Sequence, residues 1–212
     1  MMQAFLDRYA DADGAAGADV FLWVIALTLG YTATLYPALA ITRLRAEEER
    51  GLGELLLSTP ASRTAWATSH ALIAAAGTVL ILGAGGLTTG IAVAAGTAAI
   101  TPAPALAATL LQAPAALVLG GLTLLAFGLL PRATAGIAWI GFLSIQLFEL
   151  VGPIVGIDFQ LVEWIIPYFH LPKILTGGTF TATPVIILIA LTTALGASGV
   201  LALRRRDLQP LN

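Results

Sequence analysis

The chain has 212 residues, of which 58% are hydrophobic and 10% are charged, and its formal net charge is −2. Soluble domains carry about 25% charged residues, so this composition and the mean hydropathy of +0.91 predict a protein embedded in a lipid bilayer. The net charge argues against nucleic-acid binding, which requires a basic surface. The absence of cysteine excludes a disulfide framework, a thiolate metal site and a cysteine nucleophile.

Residues 1–19 form a polar tail with four aspartates and one arginine. This tail lacks the basic start and apolar core of a signal peptide. Five apolar runs follow, each long enough to be a membrane span, because a helix needs about 20 apolar residues to cross the hydrocarbon core. The predicted spans cover approximately residues 20–42, 67–95, 106–130, 134–152 and 183–203.

The fold predicted from these runs is an all-α membrane protein. The second run is longer than one straight span requires and is rich in glycine, so we expect it to tilt, to break or to project from the bilayer. Pro37 and Pro114 lie within spans and predict kinks, because proline removes a helical hydrogen bond. The transmembrane domain would cover residues 20–208, followed by a short tail at 209–212.

The charge-dense loop 43–66 joins the first two spans. Its acids at 47–49 and 54 are followed by Leu55, Leu56 and Leu57, and it closes with Pro60. A loop with this charge lies in water, and leucines beside acids favour docking against another protein through a short amphipathic helix. Acids near the start of such a helix also suit its dipole. The alternative is a solvated loop that only keeps the helix ends soluble.

The positive residues predict the orientation, because cytoplasmic loops carry an excess of lysine and arginine. With loop 43–66 in the cytoplasm, eight of the ten basic residues lie inside, and only Arg8 and Lys173 lie outside. The N-terminus and the segment 153–182 would then be outside and the C-terminus inside. The eight inner residues are Arg43, Arg45, Arg50, Arg63, Arg132, Arg204, Arg205 and Arg206.

The outer segment 153–182 is apolar but contains Asp158 and Glu163, and it is too short and too charged to span. Trp164, Tyr168 and Phe169 suit the aromatic belt at the membrane interface. We therefore expect a short helix at the outer surface or a re-entrant segment. The acids and His170 are too loosely spaced to predict a metal site.

Glu149 is the one ionisable residue that lies deep in a predicted span. Intramembrane charges are expensive and indicate a functional site by default. With Gln146 on the same helix face and with the aromatic residues Trp164, Tyr168 and Phe169, it predicts a substrate path or an outer gate. The alternative is a side chain that reaches the interface from the end of the span.

Three stretches resemble ABC-2 type exporter permeases. Residues 47–57 with Pro60-Ala61-Ser62-Arg63 resemble the connector of that family, and the basic end at 203–208 resembles its usual terminus. Residues 166–172, Ile-Pro-Tyr-Phe-His-Leu-Pro, resemble a segment of the polyketide-antibiotic exporter subgroup. The six-helix unit of the family has a span before the one that feeds the connector, so the resemblance covers a unit that lacks its first span.

The resemblance implies a permease subunit of an ATP-driven exporter in the bacterial plasma membrane. Its cargo would be a hydrophobic or amphipathic compound such as an antibiotic, a drug or a lipid. A coupling helix would dock on a cytoplasmic ATPase, a separate chain that would hold ATP and magnesium. The residues that carry this coupling are Glu47, Glu48, Glu49, Arg50, Gly51, Glu54, Leu55, Leu56 and Arg63.

The chain itself carries no phosphate-binding glycine loop followed by lysine. We therefore expect no catalytic residue, no bound cofactor and no metal. A second permease chain or half-permease, of the same or another kind, is the other implied protein partner. A split half, a truncated form and a complete subunit all stay open. The alternative function is a non-transporting scaffold or degenerate half-permease that recruits an ATPase or a partner permease.

Overall fold

The computed structural model describes residues 17–51, 62–96, 101–155 and 165–205. Within these ranges the chain forms seven α-helices and two short 3₁₀ helices, and no strand. The 3₁₀ helices are Pro131–Ala133 and Pro167–His170. The α-helices are α1 (Gly17–Ala33), α2 (Leu35–Glu49), α3 (Arg63–Gly96), α4 (Ala103–Leu110), α5 (Ala113–Leu129), α6 (Thr134–Val155) and α7 (Ala182–Arg205).

Helices α1 and α2 form one apolar rod, Asp19–Glu49, which is interrupted at Thr34. Pro37 explains the interruption. It has no N–H for the carbonyl group four residues earlier, and its ring crowds that carbonyl. Thr34 keeps helical dihedral angles at this interruption, with φ −56° and ψ −28°, so the kink at Pro37 stays a prediction. Thr34 lies fifteen residues from Asp19 and fifteen from Glu49, at the middle of the rod.

Helix α3 is one continuous helix of 34 residues. At 1.5 Å per residue it is about 51 Å long, whereas a bilayer core is about 30 Å thick. Of the three outcomes expected for this run, the break is absent, and tilting or projection remains. Gly86 packs against Thr109 of α4, where an added Cβ would lie 2.8 Å from the Thr109 Cβ.

Helices α4 and α5 form a second interrupted rod, with the break at Leu111 and Gln112, just before Pro114. Both residues keep helical dihedral angles, so the kink at Pro114 also stays a prediction. Helix α5 packs tightly on α7. A Cβ on Gly199 would lie 2.5 Å from the Leu124 carbonyl oxygen, so the two backbones are in direct contact. Small residues allow this close approach between membrane helices.

Four helical rods are long and apolar enough to cross a membrane, namely Asp19–Glu49, Arg63–Gly96, Ala103–Leu129 and Ala182–Arg205. They coincide with four of the five predicted spans, which confirms an all-α membrane fold. Helix α6 has 22 residues and coincides with the other predicted span. The total of five spans and the domain boundaries stay predictions.

Candidate functional site

The segment between α2 and α3, which we call the connector, leaves α2 through a glycine. Gly51 has a φ of 71°, which is the left-handed conformation that commonly ends helices. The N–H groups of Arg50 and Gly51 donate to the carbonyls of Ala46 and Glu48, at 3.2 and 3.1 Å. Gly51 therefore fixes the point at which the chain turns from the rod into the connector. Glu54, Leu55 and Leu56 lie outside the described residues.

The acidic side chains at the end of α2 differ in their exposure to solvent. Arg45 lies 3.4 Å from a carboxylate oxygen of Glu48 and 3.0 Å from one of Glu49. The side chain of Glu48 is 2% exposed, whereas that of Glu49 is 57% exposed. A buried carboxylate needs such a partner, because an unpaired buried charge is strongly unfavourable. Glu48 therefore has a structural partner within the chain, while Glu49 faces outward.

Glu47 links the two ends of the connector. Its carboxylate accepts a hydrogen bond from the indole N–H of Trp66 at 2.8 Å and lies 3.3 Å from Nε2 of His70. Trp66 and His70 belong to the first turns of α3, after the connector. Nδ1 of His70 lies 3.4 Å from the Ala40 carbonyl oxygen. We call Glu47, Trp66 and His70 the connector clamp.

A second group of polar residues lies at the middle of the first rod. The Tyr168 hydroxyl donates to the Gly30 carbonyl at 2.7 Å and lies 2.5 Å from the Thr34 hydroxyl. Its ring meets that of Tyr31 edge-on, with centroids 4.4 Å apart. Burial raises the pKa of the Tyr168 phenol, although the hydrogen bond with Thr34 lowers it. The phenol therefore stays neutral and acts as a donor at physiological pH.

Gln112, at the break between α4 and α5, completes this group. It is fully buried, and its amide donates to the Ala108 carbonyl at 3.2 Å. Its Oε1 has no hydrogen-bond partner among the described residues. A Cβ on Gly30 would lie 2.8 Å from the Gln112 Cβ and 2.9 Å from Cε1 of Tyr168. We call Gly30, Thr34, Gln112 and Tyr168 the central polar cluster.

The predicted site residues are therefore not all in one place. Tyr168 is 2% exposed and lies against the middle of the first rod, so its side chain is buried within the protein. Its place in an interfacial belt stays a prediction. Phe169 is half-buried and packs against a hydrophobic cluster that includes Tyr31 and Tyr168. Gln146 has a buried Oε1 without a partner in the described part of the chain. Trp164 and the side chain of Glu149 lie outside the described residues, so the outer gate around them stays a prediction.

At the connector, Glu47, Glu48, Glu49, Arg50 and Gly51 follow one another at the end of the first rod, and Arg63 begins α3. Their contact with an ATPase stays a prediction. Within the described ranges, no group of three or more histidine, cysteine, aspartate or glutamate side chains is placed to hold a metal ion.

Sequence reasoning missed most of the residues that hold these two groups together. Trp66 and His70 were not linked to Glu47, because nothing in the sequence indicates which side chains meet across a loop. Gly30, Thr34 and Gln112 were also missed. The available signal was a polar residue two or three positions before a proline within an apolar run, at Thr34 before Pro37 and at Gln112 before Pro114.

Comparison with known proteins identifies a family and a relative that this chain resembles. A family model described as "Multidrug efflux system permease Rv1217c, C-terminal domain" matches residues 1–204. The multidrug efflux system permease protein Rv1217c of Mycobacterium tuberculosis (strain ATCC 25618 / H37Rv) is 32% identical over 203 residues. That alignment covers 92% of this chain and 36% of the relative. The chain thus spans little more than a third of the length of this relative.

Proposed function

This chain belongs to the family of C-terminal domains of the multidrug efflux permease Rv1217c, and from that premise we propose that it is a transmembrane permease subunit of an ATP-driven exporter. The observation that carries the proposal is the match over residues 1–204, on a bundle of apolar helices. A separate ATPase chain would bind ATP and magnesium and dock on the connector. The cargo would be a hydrophobic or amphipathic compound.

The connector clamp supports a route from the ATPase to the membrane helices. Glu47 lies in the last turn of the first rod, and Trp66 and His70 lie in the first two turns of α3, so the clamp ties together the helices on both sides of the connector. A push on the connector would then move α2 and α3 as a pair. The break at Thr34 would let α2 move without carrying α1 along, because a proline-associated interruption bends more easily than a continuous helix.

The central polar cluster supports a gate that is formed by the outer segment 153–182, away from the connector. Tyr168 belongs to the segment between the predicted fourth and fifth spans. Its hydroxyl is hydrogen-bonded to the Thr34 hydroxyl, at the interruption of the first rod, and to the Gly30 carbonyl. A bend of the rod at this interruption would break these hydrogen bonds and release the outer segment. We propose that the cluster holds this segment closed until the ATPase acts, with Glu149 and Gln146 on the same path.

The proposed setting is the bacterial plasma membrane, with the N-terminus outside and the C-terminus in the cytoplasm. A second permease chain or half-permease would complete the transport unit. The relative is much longer than this chain, so its remaining length is available for a second permease half.

Transport in inside-out vesicles tests the proposal. The chain is co-expressed with candidate ABC ATPase and permease chains from the same genome, and ATP-dependent uptake of Hoechst 33342 is measured. We expect uptake that requires both the chain and hydrolysable ATP. A complex that forms and hydrolyses ATP, yet transports none of a panel of hydrophobic and amphipathic dyes and lipids, would favour the scaffold alternative. Failure to bind any ATPase would overturn the coupling role.

A further inference from the structure

A groove of about 540 Å³ lies between the ends of α5 and α7. Its lining is small or apolar except for one hydroxyl and one guanidinium group, and it consists of Gly128, Leu129, Ser198, Leu201, Ala202 and Arg205. Leu129 and Leu201 are 59% and 52% exposed. The groove therefore opens on the apolar outer surface of the bundle, which faces lipid in a protein that crosses the membrane.

The floor of the groove follows from the close approach of the two helices. Gly128 lies against the backbone of Gly199, and a Cβ on Gly128 would lie 3.0 Å from the Ala202 Cβ. Because Gly128 has no side chain and Ala202 has only a methyl group, the space above this contact stays open. Leu129 and Leu201 flank it, so the groove forms a channel along which a narrow chain can lie.

Two polar side chains lie on the same face of α7. Ser198 and Arg205 are seven residues apart, which is two helical turns and about 10.5 Å along the axis. Side chains on a helix lean toward its N-terminus, so the guanidinium group of Arg205 lies closer to Ser198 than the axial spacing implies. Both side chains are exposed, and both line the groove. An occupant can therefore contact each of them directly.

Neither polar side chain has a partner within the described part of the chain. Arg205 forms no ion pair or hydrogen bond there, in contrast to Arg45 with its two glutamates. The Ser198 hydroxyl also forms no hydrogen bond with a described residue, whereas the Thr193 hydroxyl on the same helix donates to the Ile189 carbonyl at 2.8 Å. A hydroxyl in an apolar environment is unfavourable unless it finds a partner, so the groove offers one hydroxyl and one cation to a ligand.

The charge at this end of the bundle favours an anion. Residues 204–207 comprise three arginines and one aspartate, a net charge of +2. The C-terminal ends of α5 and α7 each carry a partial charge of about −0.5, which the arginines outweigh. Basic pockets between membrane helices bind anionic headgroups, and each arginine near the membrane surface raises the affinity for anionic lipid by about fivefold.

We propose that this groove binds one anionic phospholipid, with its phosphate at Arg205, its glycerol backbone over Gly128 and an ester carbonyl that accepts a hydrogen bond from Ser198. The order of phosphate, glycerol and ester in the lipid matches the order of these residues from the helix end toward the middle of the membrane. The lipid is a resident ligand and not the transported compound. Its binding requires neither the ATPase nor transport.

Native mass spectrometry of the purified chain tests the proposal, because it counts bound lipids and gives the affinity of the first one. The chain is titrated with phosphatidylglycerol, phosphatidylcholine and diacylglycerol that carry identical acyl chains. We expect phosphatidylglycerol to bind about fivefold more tightly than phosphatidylcholine, because the choline cation is repelled by Arg205, and diacylglycerol to bind most weakly. Inorganic phosphate in excess should not displace the bound phosphatidylglycerol.

Arg205→Gln removes the charge that lines the groove. We expect it to lower the affinity for phosphatidylglycerol by about fivefold and to leave the affinity for diacylglycerol unchanged. Arg204→Gln is the matched control, because Arg204 is the adjacent residue, is also exposed and does not line the groove. We expect its loss of affinity to be under about twofold.

Ser198→Leu fills the groove from its exposed rim and tests the apolar part of the site. We expect it to lower the affinities for phosphatidylglycerol and for diacylglycerol by about tenfold. Ala190→Leu is the control, because Ala190 is exposed on the same helix but lies outside the groove. This pair also tests the site independently of any effect of Arg205→Gln on folding.

Equal affinities for phosphatidylglycerol and phosphatidylcholine would overturn the proposal. Equal losses in Arg204→Gln and Arg205→Gln would also overturn it, because attraction to the basic helix end in general would then replace a defined site. Complete displacement of the lipid by inorganic phosphate would identify a free anion as the occupant. Unchanged lipid binding in Ser198→Leu would place the lipid elsewhere on the bundle.

Discussion

The hydroxyl of Tyr168 donates a hydrogen bond to the backbone carbonyl of Gly30, 138 residues earlier in the chain. This contact joins a short 3₁₀ helix to the middle of a membrane rod. The Thr34 hydroxyl lies beside the same phenol, so one tyrosine contacts the first rod at its interruption and one turn before it.

Removing the Tyr168 hydroxyl should destabilise the bundle. In Tyr168→Phe, the carbonyl of Gly30 and the hydroxyl of Thr34 both lose a buried partner, and we expect a loss of about 1–2 kcal/mol. The measurement is the thermal unfolding midpoint in nanodiscs, followed by tryptophan fluorescence. Tyr36→Phe, on the same rod, is the control and should leave the midpoint within about 1 °C. An unchanged midpoint in Tyr168→Phe would contradict the structural importance of the contact.

Gly30 should tolerate no side chain. An added methyl group would lie under 3 Å from both Gln112 and Tyr168, and such overpacking costs about 1–3 kcal/mol. We expect Gly30→Ala to lower the yield and the unfolding midpoint of the protein. Gly136→Ala should be neutral or stabilising, because its Cβ position is open and alanine favours helix formation. Equal behaviour of the two variants would refute the close packing at Gly30.

The connector clamp should affect the coupling of ATP hydrolysis to transport more than it affects binding of the ATPase. Glu47→Leu leaves the Trp66 indole N–H without its acceptor and removes the carboxylate beside His70. We expect it to keep ATPase co-purification but to lower dye transported per ATP hydrolysed by about tenfold. Glu47→Gln, which retains an acceptor for Trp66, should lie between this variant and the wild type. Unaltered transport per ATP in Glu47→Leu would exclude the clamp from the coupling route.

The docking surface is better tested at Glu49 than at Glu48. Glu48 is buried against Arg45, so its reversal to lysine would place two positive charges together and disturb the fold. Glu49 is exposed, and Glu54 belongs to the predicted amphipathic piece. We expect Glu49→Lys combined with Glu54→Lys to reduce ATPase co-purification several-fold while membrane insertion stays normal. Co-purification at the level of the wild type would argue against docking at these acids.

The predicted orientation can be tested cleanly, because the chain contains no cysteine. Single cysteines are introduced as Ala15→Cys and Gln209→Cys, near the two termini. In intact cells, an impermeant maleimide should modify the first variant and leave the second unmodified until the cells are lysed. Labelling with the opposite pattern would reverse the assignment of the connector to the cytoplasm.

The sequence was sufficient to predict the helices and their two interruptions. Apolar runs of span length predicted the long rods, and Pro37 and Pro114 predicted both breaks, because span length and proline geometry are local properties. The burial of Tyr168 was not predictable. An aromatic residue beside polar neighbours suits an interface and a buried hydrogen bond equally well, and only the packing of its 3₁₀ helix against the first rod provides the partners Gly30 and Thr34.

The contacts of the acidic residues before the connector were not predictable either. Its acids were predicted as one docking surface, but the structure divides them, with Glu48 turned inward to Arg45 and Glu47 bonded to Trp66. Charge patterns indicate that a segment lies in water, yet they do not indicate which carboxylate meets a partner within the chain. The contact between Glu47 and Trp66 crosses 19 positions, and no periodicity in the sequence encodes it.

The backbone contact between Leu124 and Gly199 restricts how this bundle can deform. Helices that touch through their main chains have little room to slide or rotate, since any shift drives carbonyl oxygens into neighbouring backbone atoms. Helices α5 and α7 should therefore move as one rigid body. Large motions would then be confined to hinges elsewhere, at Thr34 and at Leu111–Gln112, where proline has already removed helical hydrogen bonds. A spin-label pair on α5 and α7 should keep its distance under conditions that change the distance between labels on α1 and α2.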